Sequence, residues 1–183
     1  MSPIPLGIFA ASGLSALSAF DLLETIEITA NTSDVTFSGL DAYSDYKHLQ
    51  LRLSLRGDRD VDLLMRFNSD STASYSRHFL YGNGSAVASS SSTSSTSIGF
   101  YKFVSDDTNV GEAAASVIDI LDFSNTSKNT TVKGLGGSTT DARSIALVSG
   151  VWYNTSPVTS IYLEPGNAVM RASSRLSLYG IKG

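Results

Sequence analysis

The run from Tyr46 to Phe67 constrains this chain more than any other segment. Leu49, Leu51, Leu53 and Leu55 alternate with His48, Gln50, Arg52, Ser54 and Arg56. A period of two with one apolar face is a half-buried strand, because successive side chains leave opposite faces of a sheet. Asp58–Asp60 follows as a turn. Val61, Leu63, Met65 and Phe67 then form a second apolar face against Asp62, Arg66 and Asn68. Two alternating segments joined by RGDRD predict a β-hairpin, with Leu49, Leu51, Leu53, Leu55, Leu63, Met65 and Phe67 toward the core.

Further strand-like segments lie at Phe20–Thr29, Val35–Leu40, Ser74–Tyr81, Ser97–Val104, Ser116–Phe123 and Lys128–Leu135. Ser144–Tyr153, Val158–Glu164 and Ser174–Ile181 complete the series. Short strands with Gly, Asn, Ser and Asp between them predict an all-β fold, an antiparallel sandwich or a barrel. Gly111–Ile118 could make one or two helical turns. Gly82–Ser97, GNGSAVASSSSTSSTS, is expected to be a polar loop at about 82–97. The expected organisation is an extended N-terminal arm over 1–19 and one sandwich domain over 20–183.

Charged residues are 16% of the 183 and the formal net charge is −4. Lys and Arg are scattered, so no basic run could neutralise adjacent phosphates, and neither nucleic acid nor an anionic membrane surface is expected as a partner. No apolar run approaches the roughly 18 residues of a membrane helix. The chain has no cysteine, which removes disulfides and thiolate metal sites. The first 19 residues have small side chains like a leader's, but the first basic residue is Lys47, so a secretory signal is not expected.

Residues that could carry chemistry are few. A nucleophile needs a positioned base, and His48 and His78 stand apart in strand patterns with no Gly-x-Ser-x-Gly turn. Glu24 with Glu27, and Asp119 with Asp122, are spaced so that each pair points to opposite strand faces, which does not favour joint acid–base work. Asp58, Asp60 and Asp62 resemble the start of a calcium loop. Its sixth and twelfth positions are Leu63 and Ser69 where Gly and Glu belong, so only a looser site with Asp70 stays open. KGLGGSTTD lacks the spacing of a phosphate cradle. Sequons at Asn31, Asn83, Asn125, Asn129 and Asn154 are what a Ser/Thr/Asn-rich composition produces by chance. Tyr43, Tyr46, Tyr75, Tyr81, Tyr101 and Trp152 could stack on sugars, although strand aromatics are more often core. No catalytic residue, cofactor or metal is assigned, and no enzyme is expected.

MRFNSDSTASYSRHFLYGNGSAVASSSSTSSTSIGF, SVIDILDFSNTSKNTTVKGLGG, RLSLYGIKG and the SPIPLGIFAASG…FDLLETI start together resemble virion structural proteins of marine and cyanobacterial bacteriophages. The likeness covers most of the chain. It implies a jelly-roll-like, non-catalytic subunit, either capsid-decorating or tail-associated, made in the host cytoplasm and resident in the virion. Its expected partners are other virion proteins and copies of itself, with a trimer as the first expectation. Pro3, Ile4, Pro5, Leu6, Ile8, Phe9 and Leu14 of the apolar arm are the expected assembly contacts. The alternative function is a receptor- or glycan-binding fibre module of the tail.

Overall fold

A computed structural model describes residues 19–106, 111–138 and 144–183. The described residues are almost entirely β, in twelve strands that hydrogen-bonding links into one mixed sheet. The strands are β1 (Phe20–Glu27), β2 (Val35–Ser38), β3 (His48–Gly57), β4 (Val61–Phe67), β5 (Tyr75–Gly82) and β6 (Val87–Ser95). The chain continues with β7 (Ile98–Asp106), β8 (Ala114–Leu121), β9 (Thr130–Ser138), β10 (Ser144–Trp152), β11 (Ser160–Pro165) and β12 (Arg175–Ile181). A 3-10 turn at Leu40–Tyr43 interrupts them. The expected assembly contacts Pro3, Ile4, Pro5, Leu6, Ile8, Phe9 and Leu14 lie outside the described residues.

Eight strands follow one antiparallel path, β1-β12-β3-β8-β9-β10-β5-β6, and four follow another, β2-β11-β4-β7. A short parallel pairing joins the paths, with Arg56 opposite Ser105 and Gly57 opposite Asp106. The ladder is therefore mixed rather than purely antiparallel.

The alternation in β3 and β4 orients their side chains as expected. Leu49, Leu51, Leu53, Leu55, Leu63, Met65 and Phe67 are all buried. The expected hairpin is not formed. Antiparallel β3 bonds to β8 and β12, whereas β4 bonds to β7 and β11. Carboxylates on the connecting turn fix this separation: Asp58 accepts from Val169 N at 3.0 Å, and Asp60 accepts from Asp106 N at 2.9 Å. Each tether draws the turn toward a distant segment, so the two strands part company.

Two more expectations are corrected. The Ser-rich tract is not a loop, because Val87–Ser95 forms strand β6 on the ladder of β5. Backbone pairing decides its conformation here, since its side chains bury almost nothing. Ala114–Ile118 belongs to β8 rather than to a helix, with Ala114, Ser116 and Ile118 turned inward.

Close approach explains the glycines of β9. A Cβ on Gly134 would lie 2.7 Å from the Phe100 ring, and one on Gly136 would lie 2.9 Å from Phe103 and 2.4 Å from Ser116. The KGLGG run thus makes room for two β7 aromatics, whose rings sit 5.4 Å apart. At the far end of the core Trp152 packs on Phe67 and Tyr75, with ring centres 5.6 and 6.4 Å away.

Candidate interaction surface

The core-facing side of β8, β9, β10 and β5 is largely apolar, with Ser116, Thr130, Ser138 and Ser144 buried toward its ends and middle. The opposite side is where the sequence breaks the usual rule of polar residues facing water. Val117 on β8 faces Leu135 on β9, Leu135 faces Leu147 on β10, and Leu147 faces Leu80 on β5. These four side chains make one row across four strands and are 38, 51, 44 and 49% exposed.

The adjacent row runs Ala115, Gly137, Ile145, Gly82 and Val87. Its small members form a shelf between Ile145, 62% exposed, and Val87, 75% exposed. Gly137 is demanded by the backbone, because a Cβ there would sit 2.2 Å from the carbonyl oxygen of Ser144. The second row, with Val117 and Leu135 of the first, lines an open groove of about 960 Å3.

Polar residues bound the apolar band on the other flank. In the third row Gln50, Asp119, Lys133, Ser149 and His78 stand in register. Gln50 Nε2 donates to Asp119 Oδ1 at 2.8 Å, and Arg52 Nε donates to Gln50 Oε1 at 2.9 Å. The Arg52 guanidinium lies over the Tyr179 ring, 4.5 Å from its centre. An apolar centre with a polar margin is the arrangement of a protein contact surface.

The residues singled out for chemistry are dispersed, and most hold structure. His48 Nδ1 accepts from Asp122 N at 2.9 Å, while His78 is exposed on β5. Hydrogen bonds from Lys128 and Lys47 hold the Asp122 carboxyl below the usual range. Asp119 and Asp122 therefore have separate partners. Glu24 and Glu27 lie on edge strand β1.

The acidic series Asp58, Asp60, Asp62 and Asp70 acts as a set of tethers. Asp62 accepts from Arg77 Nη1 at 2.9 Å and from Lys102 N at 3.2 Å. Asp70 accepts from Thr72 N and Oγ1, from Ser74 Oγ and from Trp152 Nε1. Burial acts to raise the Asp70 pKa, but the bonds from Ser74, Thr72 and Trp152 outweigh it and hold the group well below its ordinary value. Among the described residues no cluster of three or more His, Cys, Asp or Glu could hold a metal ion.

Of the aromatic candidates, Tyr75 and Trp152 are core residues. Burial pushes the Tyr75 hydroxyl up to about 12, with its oxygen accepting from Phe67 N at 3.0 Å. Tyr81 and Tyr101 are half-buried, with ring centres 4.3 Å apart, and stack with Phe79. Tyr43 and Tyr46 are partly buried against the core. None of the six lines the apolar groove.

Sequence reasoning did not find the exposed band. Its signal was nevertheless present: VIDIL on β8 and SIALV on β10 are apolar at successive positions, which makes both faces of a strand apolar.

Comparison with family models, with curated proteins and with solved structures finds no match to this chain.

Proposed function

We propose that this chain is a non-enzymatic structural component of a bacteriophage virion, a capsid-decorating or tail-associated subunit that works by protein–protein assembly. The observation that carries the reading is the exposed row Val117–Leu135–Leu147–Leu80 with its polar margin. Apolar area left in water costs about 25 cal/mol per Å2 relative to covering it, so such a band favours a partner. The resemblance of the sequence to phage virion proteins supplies the particle.

The architecture is read as a jelly-roll-like β-sandwich. Supporting this, Phe100 and Phe103 of β7 and the Ile98 side chain project onto the inward glycines of β9 and β10 without hydrogen bonding to those strands. Among the described residues no strand pairs across the outer side of β8, β9, β10 and β5, and its exposed apolar row suits assembly there. The groove on that side is lined by aliphatic, Gly, Ala and Ser residues, which suits a protein surface better than a sugar, whose recognition draws on aromatic faces and hydrogen-bonding side chains. This favours assembly over the glycan-binding alternative.

The test is incorporation of the double variant Leu135→Asp/Leu147→Asp into particles. Two carboxylates in the centre of the band should abolish incorporation while the purified chain keeps its far-UV circular dichroism and melting temperature. Incorporation at the wild-type level would sink the reading.

A further inference from the structure

Among the described residues β1, β2 and β6 have a hydrogen-bonded neighbour on one side only. β7, which meets β3 just at Ser105 and Asp106, is mostly buried and broken at Lys102 with φ 53°. A free edge offers unpaired N–H and C=O groups to any extended chain, and proteins guard such edges by shortness, charge, proline or bulges. β1 is guarded by Asp21, Glu24 and Glu27 and by a register break between Leu22 and Glu24. β2 is guarded by its length of four residues. β6 has none of these over Val87–Ser92, which is uncharged, lacks proline and pairs with β5 without a break. Its one irregularity falls after Ser92, where Ser94 has φ 54°.

We propose that β6 is a homodimerisation edge: Val87–Ser92 pairs antiparallel with the same segment of a second copy. A second copy is the occupant that the chemistry favours. The β6 side chains are Val, Ala and hydroxyls, so a charged partner strand would gain no ion pair there. An identical strand supplies hydroxyls opposite hydroxyls, a pairing that stabilises cross-strand neighbours. The guarded β1 and β2 edges explain why the assembly closes at two rather than growing, since the two-fold contact consumes the free edge of each copy.

The symmetry has a geometric consequence. Antiparallel strands in one sheet are related by a two-fold axis perpendicular to that sheet. Side chains keep their face under this rotation, so the residue at the axis must lie opposite its own copy: Ser89, which pairs Val87–Ser91 with itself, or Ser90, which pairs Ala88–Ser92 with itself. The apolar bands of both copies then point to the same side. The pairing goes beyond the assembly role proposed above and would hold for the purified chain in the absence of any particle.

The absence of native cysteine makes the test direct. Single variants Ser89→Cys, Ser90→Cys and Ser91→Cys are oxidised mildly as full-length protein, with Glu27→Cys on the β1 edge as control. Disulfide-linked dimer should form several-fold faster at one or two β6 positions than at the control. Sedimentation of the unmodified chain should give twice the 19.4 kDa chain mass. Ser89→Lys and Ser89→Glu should each sediment as monomers and, when mixed, restore a two-chain species. A monomeric or trimeric wild type, or equal cross-linking at β6 and β1, would overturn the pairing. Since these readouts need no particle, their failure would leave the outer-face incorporation test standing separately.

Discussion

The indole Nε1 of Trp152 donates a 2.7 Å hydrogen bond to Oδ2 of Asp70, tying the end of β10 to the turn that follows β4. The same oxygen accepts from Ser74 Oγ at 2.6 Å, and Oδ1 accepts twice from Thr72. A carboxylate with four donors is stabilised in its charged form. Asp70→Asn should therefore destabilise the fold by about 1.5–3 kcal/mol at neutral pH, the range for hydrogen bonds to charged groups. The sign with pH follows from the lowered pKa. Asp70's contribution is complete above the ordinary value of 3.8 and is lost as pH falls below it. Urea titrations of wild type and variant should show a constant gap from pH 7 to 5 that narrows below pH 4. A gap that widens on acidification would refute the assignment.

How far such features could be foreseen depends on the distance over which they are decided. The inward direction of Leu49 to Leu55 was legible because it is fixed by side-chain alternation alone. The partners of β3 were not, because β8 and β12 are chosen by contacts far along the chain. Asp70 could be noted only as a possible metal ligand, since nothing local says that Trp152 will reach it. The Ser-rich tract misled because its composition suits a loop, whereas its conformation is imposed by the ladder of β5. The outer band was hidden for a related reason. Doubly apolar strands such as β8 and β10 are normally covered on both sides, and only the assembled sheet reveals which side is bare.

Core truncation gives a quantitative check on β3. Leu51 and Leu53 are buried, so Leu51→Ala or Leu53→Ala should cost roughly 2–5 kcal/mol in chemical denaturation. A loss under about half a kcal/mol would mean that this face does not pack as described.

Gly134 gives the opposite kind of check. Its missing Cβ leaves space that the Phe100 ring occupies. Gly134→Ala should cost about 1–3 kcal/mol by overpacking. Adding Phe100→Leu should recover part of that loss, a non-additivity that neither single change shows. Strict additivity in a double-mutant cycle would remove the steric explanation for the glycine.

The apolar N-terminal segment has its own test. Deleting residues 2–17, which include Pro3, Ile4, Pro5, Leu6, Ile8, Phe9 and Leu14, should leave a cooperatively unfolding domain that no longer enters particles. Normal incorporation of the truncated chain would dismiss the arm as an anchor.

The position of β12 sets the order in which this molecule can be made. It lies between β1 and β3, pairing with both along its whole length, yet among the twelve described strands it comes last in chain order. Until Arg175–Ile181 leaves the ribosome, β1 and one side of β3 lack the strand that pairs with them among the described residues. The long loop between β1 and β12 must close before those contacts form, a non-local pairing of the kind that slows folding. A nascent chain halted before β12 would thus leave β1 and β3 each short of a ladder neighbour, and this seven-residue strand is the latch that covers both at once.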